Sequence, residues 1–257
     1  QTGESNVSVG ENSMYYNTGN FNTAVGRTSL VQNTTGSYNT AIGYRALDAN
    51  TTGVNTAIGA DALGGNTTGT DNVAVGGTNG VTVGSALGSN TTGNYNIAVG
   101  TGALNSNTTA SGNTAVGYRA AYGNQTSGGL VAVGEYALED VTSGYENTAV
   151  GSLAGRNITT GLGNTTVGRE SMLSLTTGSQ NTAVGKLAMR NTTTSSNNVA
   201  VGQEAMRLNT TGANNVGLGF ESLYTNTVSN ANVAVGFQAG YTHNRASSTT
   251  AYNTLIG

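Results

Sequence analysis

Short apolar phrases recur along the chain at a fixed interval, and a glycine closes each of them. From Gly100 to Gly236 the closing glycines are 17 residues apart, and each follows Asn-Thr-Ala-Val or a close variant. A fixed period of this length is typical of solenoids, in which each repeat (here called a rung) stacks on the next. The pattern therefore predicts an all-β protein, a parallel β-solenoid or β-roll of about 15 stacked 17-residue rungs.

The repeat runs through the whole sequence. We therefore expect a single repeat domain, residues 1–257, with no separate catalytic domain. The rhythm is irregular near residues 76–100, where Val81–Gly84 forms a shortened phrase. A longer spacing between the last two closing glycines predicts an enlarged loop at residues 241–252.

Alignment on the closing glycine turns the sequence into columns with distinct chemistry. The residue directly before the glycine is Val, Ile or Leu, the residue two before it is almost always Ala, and the residue three before it is Thr, Val or Ile. Successive strand side chains point to opposite faces, so the Val and Thr/Val columns share one face. A β-branched column is expected at an inward position, which predicts that this face lines the core. The Ala column, which stays small throughout, then predicts close packing of the second face against another copy of the chain.

Asparagine occupies the position four residues before the closing glycine. Stacked Asn side chains hydrogen-bond from rung to rung in cross-β structures. The column therefore predicts a structural ladder formed by Asn22, Asn39, Asn55, Asn72, Asn96, Asn113, Asn147, Asn164, Asn181, Asn198, Asn215 and Asn232.

The rest of each rung contains a Leu or Met column and turn residues. Leu30, Leu47 and Met172 belong to the apolar column, which we interpret as filler of a thin core. Phrases such as Asn33–Gly36 have turn chemistry, because Gly adopts positive φ freely and Asn bonds its own backbone. We therefore expect each rung to contain a short strand, a glycine corner, a second short extended segment and an Asn/Gly corner.

Many of these turns also match the Asn-x-Thr/Ser acceptor sequence for N-glycosylation. Turn chemistry explains the matches without glycans, and glycan attachment is the alternative. The matching residues are Asn6, Asn33, Asn50, Asn66, Asn90, Asn107, Asn124, Asn157, Asn164, Asn191 and Asn209.

Composition narrows the functions that the chain could have. The chain has 40 Gly, no Pro, no Cys, one His and a net charge of −3. There is no basic patch for nucleic acid, no apolar run of about 20 residues for membrane insertion, and no set of His and Cys for a metal. The lone His243 lacks partners, and the scattered acidic residues predict no glycosidase-type cleft. We expect no cofactor, no metal site and no enzymatic activity.

Charged and aromatic residues gather one or two positions after the closing glycine, and stacking would place them on one ridge. One interpretation is a solvated edge of mixed charge. The other is an adhesive ridge that contacts sugars or protein. Its candidate residues are Tyr44, Arg45, Tyr118, Arg119, Tyr136, Arg169, Phe220 and Phe237.

The phrase Asn-Thr-Ala-Val-Gly-Tyr-Arg-Ala at Asn113–Ala120 resembles the repeats of trimeric autotransporter adhesin heads. It is also similar to the Asn-Thr-Ala-Ile-Gly-Tyr repeats of phage tail-fibre-like and bacterial surface proteins. The resemblance implies a left-handed, homotrimeric β-roll outside the cell, on a cell surface or a virion. It implies a cell-surface glycan or protein receptor as a further partner. The period of this chain is longer than that of adhesin heads.

These observations favour a structural or adhesive extracellular fibre that presents a surface for attachment. One alternative is an extracellular filament subunit that polymerises end to end, because both ends of the sequence look like interior repeats. A second alternative is an ice-binding β-solenoid, because flat Thr arrays on solenoids order water. Val73, Ile97 and Val131 interrupt the Thr column, which counts against ice binding.

Overall fold

The structure, a computed structural model, describes residues 3–78, 83–243 and 252–257. Most of the loop predicted at residues 241–252 and part of the shortened phrase Val81–Gly84 lie outside the described residues. The chain forms two compact units, unit 1 (Gln1–Leu130) and unit 2 (Val131–Gly257). The predicted fold class is confirmed: the protein is an all-β parallel solenoid of about 14 turns with repeats of about 17 residues. The described residues contain no helix.

Unit 1 contains one short strand in each rung, and consecutive strands pair in parallel. The pairing keeps equivalent positions of the repeat side by side, so that Thr23 pairs with Thr40 and Ala24 with Ala41. The described strands are β1 (Val7–Val9), β2 (Thr23–Val25), β3 (Thr40–Ile42), β4 (Asn55–Ile58), β5 (Asn72–Val75), β6 (Ile97–Val99) and β7 (Thr114–Val116).

Unit 2 is built in the same way. Thr165 pairs with Thr182, and Val167 pairs with Val184. The described strands are β8 (Val131–Val133), β9 (Thr148–Val150), β10 (Thr165–Val167), β11 (Thr182–Val184), β12 (Val199–Val201), β13 (Val216–Leu218), β14 (Asn232–Val235) and β15 (Asn253–Ile256).

The two faces of each strand are reversed relative to the sequence prediction, which was wrong on this point. The Ala column is fully buried inside the chain's own interior, as at Ala41 and Ala183, and does not pack on another copy. The Val and Thr columns point outward, and Ile42 remains 38% exposed. The reason is space: Leu47 and Met189, from the Leu/Met column, are also fully buried and fill the interior opposite the strand. An interior that holds these large side chains favours short side chains on the strand side, chiefly Ala and Asn.

The second extended segment of the rung is replaced by a turn, so this part of the prediction was also wrong. Thr28 and Leu30, two and four positions after Gly26, both have left-handed φ of 52°. Leu30 N donates to Ala46 O of the next rung at 2.9 Å. A left-handed non-glycine residue costs about 1–2 kcal/mol, and burial of a Leu side chain contributes about 1.5–3 kcal/mol. Burial therefore outweighs the backbone strain at Leu30.

The closing glycines are required by both conformation and space. Gly26 has φ of 138°, a region that side-chain-bearing residues rarely adopt. A Cβ on Gly26 would overlap the carbonyl oxygen of Gly43 on the next rung. The motif therefore ends in glycine because successive rungs approach each other there through bare backbone.

Candidate interaction surfaces

Most of the polar side chains in the interior of each unit are hydrogen-bonded to other groups of the same chain. In unit 1, Asn39 Nδ2 donates to Asn22 Oδ1 at 3.1 Å, and the same oxygen accepts the Asn39 backbone N–H at 2.8 Å. In unit 2, Asn181 Nδ2 donates to Asn164 Oδ1 at 3.1 Å and to Ser195 O at 2.8 Å. The Asn side chains form a ladder through consecutive rungs, and the buried Leu130, whose backbone N–H donates to Asn113 Oδ1, takes the Asn position of one rung. A buried amide requires partners of this kind, and here neighbouring rungs supply them.

A second column of buried Asn runs parallel to the first in unit 1. Asn50 Nδ2 donates to Asn33 Oδ1 at 3.0 Å and to Gly53 O at 3.2 Å. In unit 2 this column is interrupted by the buried residues Val141, Ile158, Leu175 and Thr192. The second column therefore holds Asn, Thr or an apolar side chain, all of them uncharged.

Burial decides the accessibility of the candidate glycosylation sites. Eight of them are buried: Asn33, Asn50, Asn66, Asn90, Asn107, Asn124, Asn164 and Asn209. Three are half-buried: Asn6, Asn157 and Asn191. The buried Asn residues hold the interior together, so the turn chemistry accounts for these sequence matches.

Each unit presents a flat outer face formed by its strands, which we call the sheet face. It consists of the outward side chains one and three positions before the closing glycine. Val150 and Val201 are 37% and 40% exposed. Its members are Val7, Val9, Thr23, Val25, Thr40, Ile42, Thr56, Ile58, Val73, Val75, Ile97, Val99, Thr114 and Val116 in unit 1, and Val131, Val133, Thr148, Val150, Thr165, Val167, Thr182, Val184, Val199, Val201, Val216, Leu218, Val233, Val235, Thr254 and Ile256 in unit 2.

A second surface, the closing-glycine ridge, is formed by the side chains one or two positions after each closing glycine. In unit 1 the ridge places Arg45 Nε 3.1 Å from Asp48 Oδ2 and 3.6 Å from Asp61 Oδ1. The hydrogen bond that Arg45 donates to the Asp48 carboxylate raises the pKa of the Arg45 guanidinium. Arg119 stacks on the Tyr122 ring at 4.4 Å. These arginines are therefore engaged by the chain itself.

The ridge of unit 2 contains further internal ion pairs. Glu170 lies between Arg169 Nη2 at 2.6 Å and Arg190 Nε at 2.9 Å. The hydrogen bond from Arg190 lowers the pKa of the Glu170 carboxyl below its ordinary value. Tyr136 faces the Arg156 guanidinium at 5.2 Å. Arg169 and Tyr136 are thus held in place by neighbours within unit 2.

Phe220 and Phe237 are different, because they form an exposed apolar stack on the ridge. Their ring centroids are 5.4 Å apart with planes inclined by 10°, and Phe237 is 68% exposed. Tyr44 and Tyr118, also predicted for the ridge, are exposed in unit 1. The structure therefore brings Phe220 and Phe237 into one contact.

Sequence reasoning missed two other aromatic stacks. Tyr224 and Tyr241 stack at 5.0 Å, and Phe21 and Tyr38 stack at 5.1 Å. The missed signal was the spacing, because the residues of each pair are 17 apart, one full rung. Aromatic residues one period apart are placed face to face by the stacking distance of the rungs.

The remaining candidates for chemistry have structural partners. Glu139 is buried, and its Oε2 lies 2.5 Å from Arg156 Nε. His243 Nε2 lies 3.3 Å from Asn253 Nδ2. Among the residues that the structure describes, no three of His, Cys, Asp and Glu are grouped as metal ligands.

Comparison with known proteins adds no assignment. No protein-family model, curated protein or solved structure gives a significant match to this chain. Over the described ranges, no helix has the length and apolar character needed to cross a membrane.

Proposed function

We propose that this protein is a structural, adhesive element of an extracellular fibre, in which a rigid solenoid presents side chains for attachment. One observation carries the proposal: the interior repeats a narrow set of uncharged residues from rung to rung, mostly Asn, Ala, Leu and Met, while the closing-glycine ridge changes. The position directly after the closing glycine holds Arg27, Tyr44, Lys186 and Phe220 in different rungs. A constant interior under a variable exterior is the organisation expected of a scaffold that presents a surface.

The location outside the cell, on a cell surface or a virion, rests on the resemblance of Asn113–Ala120 to adhesin and tail-fibre repeats. The proposal assigns the protein no catalytic role, since Glu139, Glu170 and Glu204 are held in ion pairs with arginines. The proposed receptor is a glycan or protein at a cell surface.

The exposed stack of Phe220 and Phe237 is the best-defined attachment point on the ridge. Aromatic faces pack against the apolar faces of sugars and against protein side chains, and both rings lie on the outside of unit 2. We expect the labelled protein to bind members of an immobilised glycan panel or intact bacterial cells. Replacement of both rings by serine should weaken that binding at least 10-fold.

The matched control is Tyr145→Ser, which removes an aromatic ring that is 48% exposed in the same unit but away from the ridge. It should leave binding unchanged. Absence of binding to every glycan and cell surface, or equal binding by the double Phe variant, would contradict the adhesive role.

The outward direction of the Thr column favours ice binding as a second candidate function. Thr148, Thr165 and Thr182 stand side by side in consecutive rungs on the sheet face. Evenly spaced hydroxyl and methyl groups on a flat surface would order water. Thermal hysteresis of the purified protein at high concentration, abolished by Thr165→Lys, would support this candidate, and absence of hysteresis would exclude it.

A further inference from the structure

The sheet face is a continuous uncharged surface in each unit. Every outward strand position along it is occupied by Thr, Val, Ile or Leu. Ile97 in unit 1 is 42% exposed, and Val235 in unit 2 is 41% exposed. The charged residues lie elsewhere, many of them on the closing-glycine ridge. The face that carries the most regular apolar pattern is therefore the one that has no covering within the chain.

Parallel sheets normally have both faces covered, because their pairing is stable where water is excluded. Here the chain covers the Ala and Asn side and leaves the Val and Thr side open. Unit 1 holds seven described strands and unit 2 holds eight. With strands about 4.8 Å apart and about 10 Å long, each unit presents about 340–380 Å² of sheet. A patch of this size is comparable to the largest apolar patch of a typical soluble monomer, and such a patch is often functional.

The repeat itself indicates which partner fits. Side chains on the face recur at every rung, at the spacing of hydrogen-bonded strands, about 4.8 Å. Side chains of a partner interdigitate along the whole face only if they recur at the same spacing, and a second copy of this chain meets that requirement. The face of each unit supplies about half of the about 800 Å² per partner that a standard protein interface buries.

We propose that the sheet face packs against the sheet face of a second copy of this chain. Two such faces would lie about 10 Å apart, the usual distance between packed sheets, with Val and Thr side chains interlocked in a dry layer. The inference rests on the proposed fibre function and names the surface through which its chains associate. The sheet face thus takes the role that the sequence analysis gave to the Ala column, the contact between copies, because the Ala column is buried within one chain.

The first test compares the solution mass of the full chain with that of two double variants. Light scattering should give the wild type a mass above the 25.7 kDa of one chain. Val150→Lys with Val201→Lys places charges in the sheet face and should shift the protein to the mass of one chain. The control, Tyr145→Lys with Leu162→Lys, places the same charges at exposed apolar residues of unit 2 outside the face and should keep the wild-type mass.

A second measurement leaves the face almost intact and guards against misfolding of the charged variant. The chain has no cysteine, so single substitutions Val25→Cys, Ile97→Cys, Val150→Cys and Val201→Cys give unambiguous disulfides. Under mild oxidation, we expect at least one of them to form a covalent dimer more than 10-fold faster than Leu162→Cys. Copies packed in the same direction would link at every position, and copies packed in opposite directions would link at some positions.

A wild-type mass of one chain would overturn the inference. So would an oligomer that survives the face substitutions, or face cysteines that link no faster than Leu162→Cys. The glycan and cell-binding assay is independent of these results. A monomer that still binds through Phe220 and Phe237 would remove the inference and leave the proposed function standing.

Discussion

Ile158 occupies the space that a side chain at Gly155 would need. Its Cδ1 lies 2.9 Å from the place where a Cβ on Gly155 would stand, and Cγ2 of Thr166 lies 3.1 Å from the same point. The equivalent positions in the rungs on either side are Leu138 and Met172, both fully buried. This rung thus keeps its interior filled although it has no side chain at Gly155, because Ile158 and Thr166 occupy that space.

Gly155→Leu should therefore destabilise unit 2 by about 1–3 kcal/mol through overpacking. Backbone strain is not the cause, since Leu138 has a φ of 50° and Gly155 has a φ of 57°. Adding Ile158→Val and Thr166→Ala removes the two crowding atoms and gives the residues of the preceding rung, Val141 and Ala149, so it should recover most of the loss. Urea unfolding of the single and triple variants measures both effects, and a triple variant no more stable than the single one would contradict the explanation.

Removal of one member of the Asn ladder should be among the costliest substitutions in the protein. Asn181 Oδ1 accepts from Asn198 N at 3.0 Å and from Asn198 Nδ2 at 3.1 Å. Asn181→Ala leaves these buried donors without that acceptor, so we expect a loss of about 2–4 kcal/mol in the free energy of unfolding. Thr194→Ala, at an exposed position of the same unit, should change it by less than about 0.5 kcal/mol. Equal effects of the two substitutions would show that the ladder does not stabilise the fold.

Acid should weaken unit 2 through Glu170. Because the folded-state pKa of this carboxyl is lowered from its ordinary value of 4.5, its stabilising contribution is fully present above pH 4.5. The contribution is lost as the pH falls below that value through the folded-state pKa. Glu170→Gln should therefore lower the thermal midpoint at pH 7, by an amount that corresponds to about 0.5–1 kcal/mol, and have a smaller effect at pH 2. A difference between wild type and variant that is the same at both pH values would contradict this role of the carboxylate.

Glycosylation in a eukaryotic secretory pathway should prevent folding. The Nδ2 atom to which a glycan would be attached on Asn50 already donates to Asn33 Oδ1 and Gly53 O in the interior. A glycan replaces one of the two hydrogens on this nitrogen, so one of the two hydrogen bonds is lost, and the buried site has no room for the sugar. We expect secreted yield to be low in such a host and to rise when glycan attachment is blocked with tunicamycin. Folded protein with mass-verified glycans at Asn50 would be the contrary result.

The repeat and the fold class follow from the sequence because every rung has the same closing phrase. Gly26 and Gly43 must stack through backbone, so the glycine spacing alone gives the length of the rung. Which face of each strand is buried could not be predicted from the sequence. The alternation along a strand separates two columns of residues, but it does not tell which column faces the interior. Val and Ala are both compatible with burial, and the width of the interior decides between them.

The turn after the closing glycine could not be predicted from local sequence preferences either. Intrinsic preference disfavours a left-handed φ at Leu30, yet the structure adopts it because the side chain then enters the core. The residues of the closing-glycine ridge could be predicted from the columns of the sequence, but the ion pairs and ring contacts that they form could not. Whether Arg45 is free or neutralised depends on Asp61, a residue of the next rung, and on the distance between their side chains.

The Asn ladder also has a direction along the rungs of each unit. In unit 1, Asn39 Nδ2 donates to Asn22 Oδ1 and Asn72 Nδ2 donates to Asn55 Oδ1, each toward the lower-numbered rung. The second N–H of Asn72 donates to Gly93 O of the following rung. In unit 2, Asn232 donates to Asn215 in the same sense. On the acceptor side, Asn22 Oδ1 accepts the Asn39 backbone N–H and Asn215 Oδ1 accepts the Asn232 backbone N–H. Each amide oxygen of these pairs therefore faces the higher-numbered rung, and an added rung at that end would have to present a donor to it.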